Sequence, residues 1–117
     1  MTALGLFWAA WHLPIILGGY NYPEHPVLGA FVIFPLLLVS ISFFLAWLTL
    51  RSRSFWPAVL THGAANSIAT GVVSNLRLTV PLLRIDLITL LLAAGVGAIC
   101  WFLLARPPNP LVVSSGS

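Results

Sequence analysis

Charged side chains are the scarcest component of this 117-residue chain. It has five arginines, no lysine and two acids, Glu24 and Asp86, so 6% of its residues are charged and 60% are hydrophobic. A soluble domain carries roughly 25% charged residues, which it needs to hydrate its surface. Disordered chains are polar, and this one is not. The composition therefore excludes both classes and predicts an integral membrane protein.

Two further scarcities narrow the class of protein. The net charge is only +3, and the scattered arginines form no basic run or basic helix face, which argues against a nucleic-acid partner. Cys100 is the only cysteine, so an intrachain disulfide and a zinc–thiolate cluster are excluded. We interpret the arginines as topology determinants of a membrane protein.

Charges and helix breakers divide the chain into four apolar segments, and a membrane-spanning helix needs about 20 apolar residues. The helices are predicted at about residues 3–19, 27–50, 55–73 and 87–105. The predicted fold is all-α, a polytopic membrane helix bundle of about four transmembrane helices. Residues 106–117, which are rich in proline, are predicted to form a disordered polar tail.

Two histidines and one asparagine lie inside the predicted spans, where ionisable groups are costly and usually functional. His12 lies in the first segment, and His62 and Asn66 lie four residues apart on one face of the third. The first and third segments cross the membrane in the same direction. At about 1.5 Å rise per residue, all three side chains come to roughly 10–18 Å from the same membrane face. The sequence therefore predicts that they can share one polar site.

These residue types suit hydrolytic chemistry. A histidine can act as general acid or base, and an asparagine can donate to a developing oxyanion. The two histidines could also hold a metal ion together with a carboxylate. Either scheme needs a carboxylate, and we expect neither Glu24 nor Asp86 to be well placed. Two alternatives stay open: a polar helix–helix seam without chemistry, and axial ligation of a b-type haem by His12 and His62.

Two motifs resemble those of the CPBP family of intramembrane proteases, which includes type II CAAX prenyl endopeptidases and bacteriocin-processing or immunity proteins. Residues 8–14 read WAAWHLP and are similar to the family's second motif, with Trp8 at the position where the family often has phenylalanine. Residues 62–66 read HGAAN and are similar to its third motif. The order of the motifs, their separation and the apolar span between them match as well.

The resemblance implies roles for three residues. His12 would help to activate water, and His62 with Asn66 would stabilise the tetrahedral oxyanion. Family members carry an adjacent glutamate pair followed by an arginine before the second motif, and this sequence has no counterpart. The resemblance therefore implies that residues 1–105 form the C-terminal part of such a protease domain, and that this chain is inactive alone.

The resemblance also implies partners and location. The substrate would be a membrane-anchored peptide or protein. The protein itself would be a multi-pass enzyme in the lipid bilayer of a bacterial or archaeal cell. No cofactor is implied with certainty; a divalent metal ion, if one is used, would be held by His12 and His62. The alternative is a non-enzymatic relative that acts as a bacteriocin-immunity or membrane-interaction protein.

Overall fold

A computed structural model describes residues 1–68, 71 and 81–106 of the chain, and it confirms the all-α helix bundle. The described residues form four helices. These are α1 (Thr2–Leu17), α2 (Pro26–Ser52), α3 (Trp56–Ile68) and α4 (Leu82–Ala105). Two of them, α2 and α4, are long and apolar enough to cross a membrane, whereas α1 has 16 residues and α3 has 13.

The helix α2 is the centre of the bundle. Each of the other three helices packs against it, and no Cα atom of α1, α3 or α4 lies within 8 Å of another of these three. Gly5 near the start of α1 faces Val39, and His12 further along α1 contacts Phe34, so α1 runs antiparallel to α2. Gly97 faces Ser40, and Asp86 near the start of α4 pairs with His25 just before α2, so α4 runs parallel to α2.

The core is small and lies between α1, the loop after it and the first half of α2. Its buried members are Ala9, Ile16, Tyr22, Ala30, Ile33, Phe34 and Leu38. The outer faces carry large exposed apolar side chains, such as Phe7 at 72% and Trp11 at 77% exposed. Water would disfavour so much apolar surface, and lipid chains would cover it.

A π-helical turn over Gly29–Ile33 lies just before Pro35 within α2. Proline has no N–H, and its ring clashes with the carbonyl four residues earlier, here that of Phe31. In the π turn the Phe34 N–H donates to the Gly29 carbonyl, five residues back. One residue is thereby inserted into the helical ladder, and α2 continues through Pro35 to Ser52.

The helix ends differ from the predicted ones where local backbone chemistry decides. Gly19 has a φ of 90°, so α1 ends at Leu17 rather than at residue 19. The fourth helix begins at Leu82 rather than at residue 87, because Pro81 starts it and Asp86 is paired inside it. The end of the predicted third helix, apart from residue 71, and residues 107–117 of the predicted tail lie outside the described residues.

The contact at Gly97 predicts a large difference between two neighbouring glycines of α4. A Cβ on Gly97 would lie 2.9 Å from the Cα and carbonyl oxygen of Ser40, whereas a Cβ on Gly95 meets nothing within 4 Å in the described part of the chain. We expect Gly97→Ala to lower the free energy of unfolding by about 1–3 kcal/mol. Gly95→Ala should leave it unchanged or raise it by up to about 1 kcal/mol, since alanine favours helix.

Denaturation in detergent micelles, followed by tryptophan fluorescence, measures both glycine variants. Equal effects of the two substitutions would contradict the close approach of α4 to α2.

Candidate functional site

The Trp8 indole contacts both histidines that the sequence singles out. Its ring centroid lies 6.4 Å from that of His12, one turn further along α1, and 5.0 Å from that of His62 on α3. Two imidazoles that are 50 positions apart in the sequence are thereby brought to one side chain. This arrangement agrees with the prediction that His12 and His62 lie at a similar distance from one membrane face.

A tight turn after α2 directs α3 back along the bundle. Arg53 adopts the left-handed conformation, with a φ of 52°, and ends α2. The Ser54 hydroxyl then accepts a hydrogen bond from the Trp56 N–H at 3.3 Å, which caps the start of α3. Because this reversal takes only three residues, α3 crosses the bundle in the same direction as α1.

His12 is half-buried among aromatic rings, and one of its nitrogens is already used. Its Nδ1 donates to the Trp8 carbonyl oxygen at 2.9 Å, and its ring lies 5.4 Å from that of Phe34. A carbonyl can only accept, so the neutral ring carries its proton on Nδ1. The other nitrogen, Nε2, therefore holds the lone pair with which His12 can accept a proton.

His62 and Asn66 form a second polar pair on α3. The Asn66 amide nitrogen donates to His62 Nε2 at 3.3 Å, as their spacing on one helix face predicts. The neutral His62 ring consequently carries its proton on Nδ1 and presents it as a donor. No residue in the described helix α3 is buried, so this pair lies on an open face of the bundle.

His25 is the histidine whose role sequence reasoning missed. Its Nε2 lies 2.9 Å from Asp86 Oδ2, and the two side chains are only 15% and 8% exposed. The pair ties the loop after α1 to the first turns of α4. The predicted topology could have indicated this pair. His25 lies between the first and second predicted spans and Asp86 between the third and fourth, so both lie at the same side of the membrane. Asp86 is thus bound to His25, and Glu24 is exposed in the same loop.

The donor atoms around Trp8 do not make a complete metal site. Among the described residues, no three His, Cys, Asp or Glu side chains lie close enough together to hold a metal ion. His12 Nδ1 and His62 Nε2 are both engaged in hydrogen bonds. A haem between the two histidines would have to displace the Trp8 indole, which contacts both rings.

An apolar groove of about 300 Å³ lies beside Trp8, between α1 and the second half of α2. Leu4, Leu45 and Ala46 contribute to its walls. The Ser42 hydroxyl also borders it, but donates to the Leu38 carbonyl of its own helix at 2.8 Å. The groove therefore suits an apolar chain better than a polar one.

One family model matches the chain. It is described as type II CAAX prenyl endopeptidase Rce1-like and covers residues 1–68. This stretch contains α1, α2 and α3, and with them His12, His62 and Asn66; α4 lies beyond it. No curated protein and no solved structure matches the chain.

The hydrogen bond from His12 to Trp8 predicts one tautomer. We expect ¹⁵N NMR of the chain in micelles, at a pH where the ring is neutral, to show a protonated Nδ1 and an unprotonated Nε2. A neutral ring protonated on Nε2 would contradict the geometry, because Nδ1 would then face a carbonyl lone pair.

The pairing of His25 with Asp86 predicts a coupled loss of stability. Asp86→Asn and His25→Ala should each lower the free energy of unfolding by about 1–3 kcal/mol, because each leaves a buried polar partner poorly satisfied. The double variant should lose less than the sum of the two. Glu24→Gln, at the exposed acid of the same loop, is the control and should change little. Strict additivity would show that the pair contributes nothing.

Proposed function

Because this chain belongs to the type II CAAX prenyl endopeptidase Rce1-like family, we propose that it carries part of a membrane-embedded endopeptidase site of the CAAX-processing or bacteriocin-processing type. The reaction is hydrolysis of a peptide bond near the membrane by activated water. The observation that carries the proposal is the contact of one indole, that of Trp8, with the imidazoles of both His12 and His62.

In this proposal His12 is the proton acceptor. Its Nδ1–H is fixed on the Trp8 carbonyl, so Nε2 is the atom that takes a proton as water attacks the peptide carbonyl carbon. The same atom returns that proton to the leaving amine when the C–N bond breaks. The hydrogen bond to Trp8 holds the ring in one orientation and one tautomer throughout.

His62 and Asn66 stabilise the charge that develops on the carbonyl oxygen. The bond from Asn66 to His62 Nε2 leaves the Nδ1–H of His62 as the donor to that oxyanion. Donors fixed before the reaction need no reorganisation as the negative charge forms. Collapse of the tetrahedral intermediate then expels the amine.

Water activation at His12 requires a carboxylate that these residues do not provide. Glu24 is the only glutamate in the 117 residues, so the adjacent pair typical of the family is absent. Asp86 is bound to His25. We propose that a glutamate pair from outside these 117 residues completes the site, and that the chain alone is inactive. Reading the genomic frame upstream of Met1 tests this directly, because the protease proposal fails if no adjacent glutamate pair followed by an arginine is encoded there.

The proposed substrate is a membrane-anchored peptide or protein, and the proposed location is a multi-pass position in the bilayer. The two long apolar helices and the exposed apolar faces support the location. The apolar groove beside Trp8 supports the substrate class, because the apolar anchor of a substrate can lie there while its peptide reaches the histidines.

Supplying the missing carboxylates should create activity that depends on the three polar residues. We expect the chain alone to cleave a prenylated peptide in proteoliposomes at least about 100-fold more slowly than a protein in which a helix bearing the glutamate pair and arginine precedes Met1. In the completed protein, His12→Ala and Asn66→Ala should each lower kcat by about 10²- to 10³-fold.

Ser67→Ala is the matched control for Asn66→Ala. Ser67 is the next residue on the same exposed helix, and its hydroxyl donates to the Gly63 carbonyl of that helix. Its removal should leave kcat within about twofold. Full activity of His12→Ala would contradict the assigned role of His12.

The binding of Asp86 to His25 favours a second candidate, a non-enzymatic bacteriocin-immunity or membrane-interaction protein. In that case the histidines are structural and need no carboxylate. Cells that express the His12→Ala, His62→Ala variant at normal level would then keep their full protection against a bacteriocin. Loss of protection would favour the endopeptidase.

A further inference from the structure

A second groove lies at the end of the bundle opposite the His25–Asp86 pair. Because α2 and α4 run parallel and in register, their C-terminal turns lie side by side there. The groove between them has a volume of about 460 Å³. Its lining residues are Trp47, Leu50 and Arg51 of α2 and Leu103 and Leu104 of α4. Four of the five lining residues are large and apolar, and the fifth is an exposed cation.

This end of the bundle is electropositive. Arg51 lies on the rim of the groove, Arg53 follows in the turn, and Arg106 ends α4 with its guanidinium 4.4 Å above the Phe102 ring. Both acids lie towards the other end, with Glu24 just before α2 and Asp86 in the first turns of α4. The helix dipoles of α2 and α4 each place roughly −0.5 charge at the C-terminal end of the helix. The positive charges of the three arginines exceed this negative charge.

We propose that this groove binds one molecule of an anionic phospholipid. The Arg51 guanidinium forms paired hydrogen bonds with the lipid phosphate, and an acyl chain lies between Leu50 and the two leucines of α4. The Trp47 indole suits the boundary between headgroups and acyl chains. Basic pockets between helices at a membrane face favour anionic headgroups over zwitterionic ones, in which the phosphate is already compensated by a cation.

The combination of one cation with four apolar walls distinguishes a lipid from a soluble phosphate. A free phosphate would use Arg51 alone, and the apolar walls would contribute nothing to its binding. A neutral lipid would use the walls but not the arginine. The site does not depend on the proposed peptidase chemistry, because neither His12 nor His62 borders this groove.

Native mass spectrometry of the full chain in detergent tests the site. Phosphatidylglycerol, phosphatidylcholine and glycerol phosphate are titrated separately against the wild type, Arg51→Gln, Arg51→Lys and Arg53→Gln. We expect the wild type to bind one phosphatidylglycerol at least about 10-fold more tightly than phosphatidylcholine, and Arg51→Gln to remove that preference. Arg51→Lys should retain part of it, since lysine keeps the charge but loses the paired hydrogen bonds.

Arg53→Gln is the matched control, because it removes the same charge two residues away from a side chain that does not line the groove. It should change phosphatidylglycerol affinity by less than about twofold. Equal losses in Arg51→Gln and Arg53→Gln would overturn the proposal in favour of diffuse surface charge. Equal affinities for phosphatidylglycerol and phosphatidylcholine would also overturn the proposal, because the groove would then be an apolar surface without preference for an anionic headgroup. Binding of glycerol phosphate as tight as that of the lipid would make it a phosphate site.

Discussion

The contact between the Trp8 indole and the His62 imidazole is the interaction on which the candidate site depends. No Cα atom of α1 lies within 8 Å of α3, so the two helices that carry the histidines do not pack backbone to backbone. The two rings, with centroids 5.0 Å apart, span that gap. Trp8 also accepts the hydrogen bond that orients His12. Trp8 thus contacts His62 through its indole and sets the tautomer of His12 through its main-chain carbonyl.

The central helix α2 makes this contact geometrically feasible. In lipid there is little hydrophobic drive to bring helices together, so close packing at small residues and interhelical hydrogen bonds carry the association. Gly5 and Gly97 allow α1 and α4 to approach α2 at the backbone. The loop after α1 packs on α2 as well, since Tyr22 lies against Gly29 and its ring contacts Phe34, the neighbour of His12. The His12 ring is therefore contacted by Trp8 of its own helix and by Phe34 of α2.

Much of the fold follows from the sequence, because long apolar runs bounded by charges, glycine and proline predict helices in lipid. The same topology predicts that His12 and His62 share a depth. It does not predict that Trp8 joins them, because helices that are apolar on all sides do not reveal which face meets a neighbour. The pairing of His25 with Asp86 was missed for a related reason. The sequence pattern predicts that Asp86 lies just before the fourth helix, whereas its pairing with a loop histidine lets it lie inside α4. The catalytic roles of His12, His62 and Asn66 remain predictions from family resemblance.

The small number of histidines makes the contacts of Trp8 directly measurable. The chain has three, His12, His25 and His62, so their ring proton resonances can be resolved by NMR in micelles. Replacing Trp8 by leucine removes the ring current of the indole. We expect the resonances of His12 and His62 both to shift while that of His25, which pairs with Asp86, stays in place. An unchanged His62 resonance in this variant would contradict the central claim that one indole unites the two histidines.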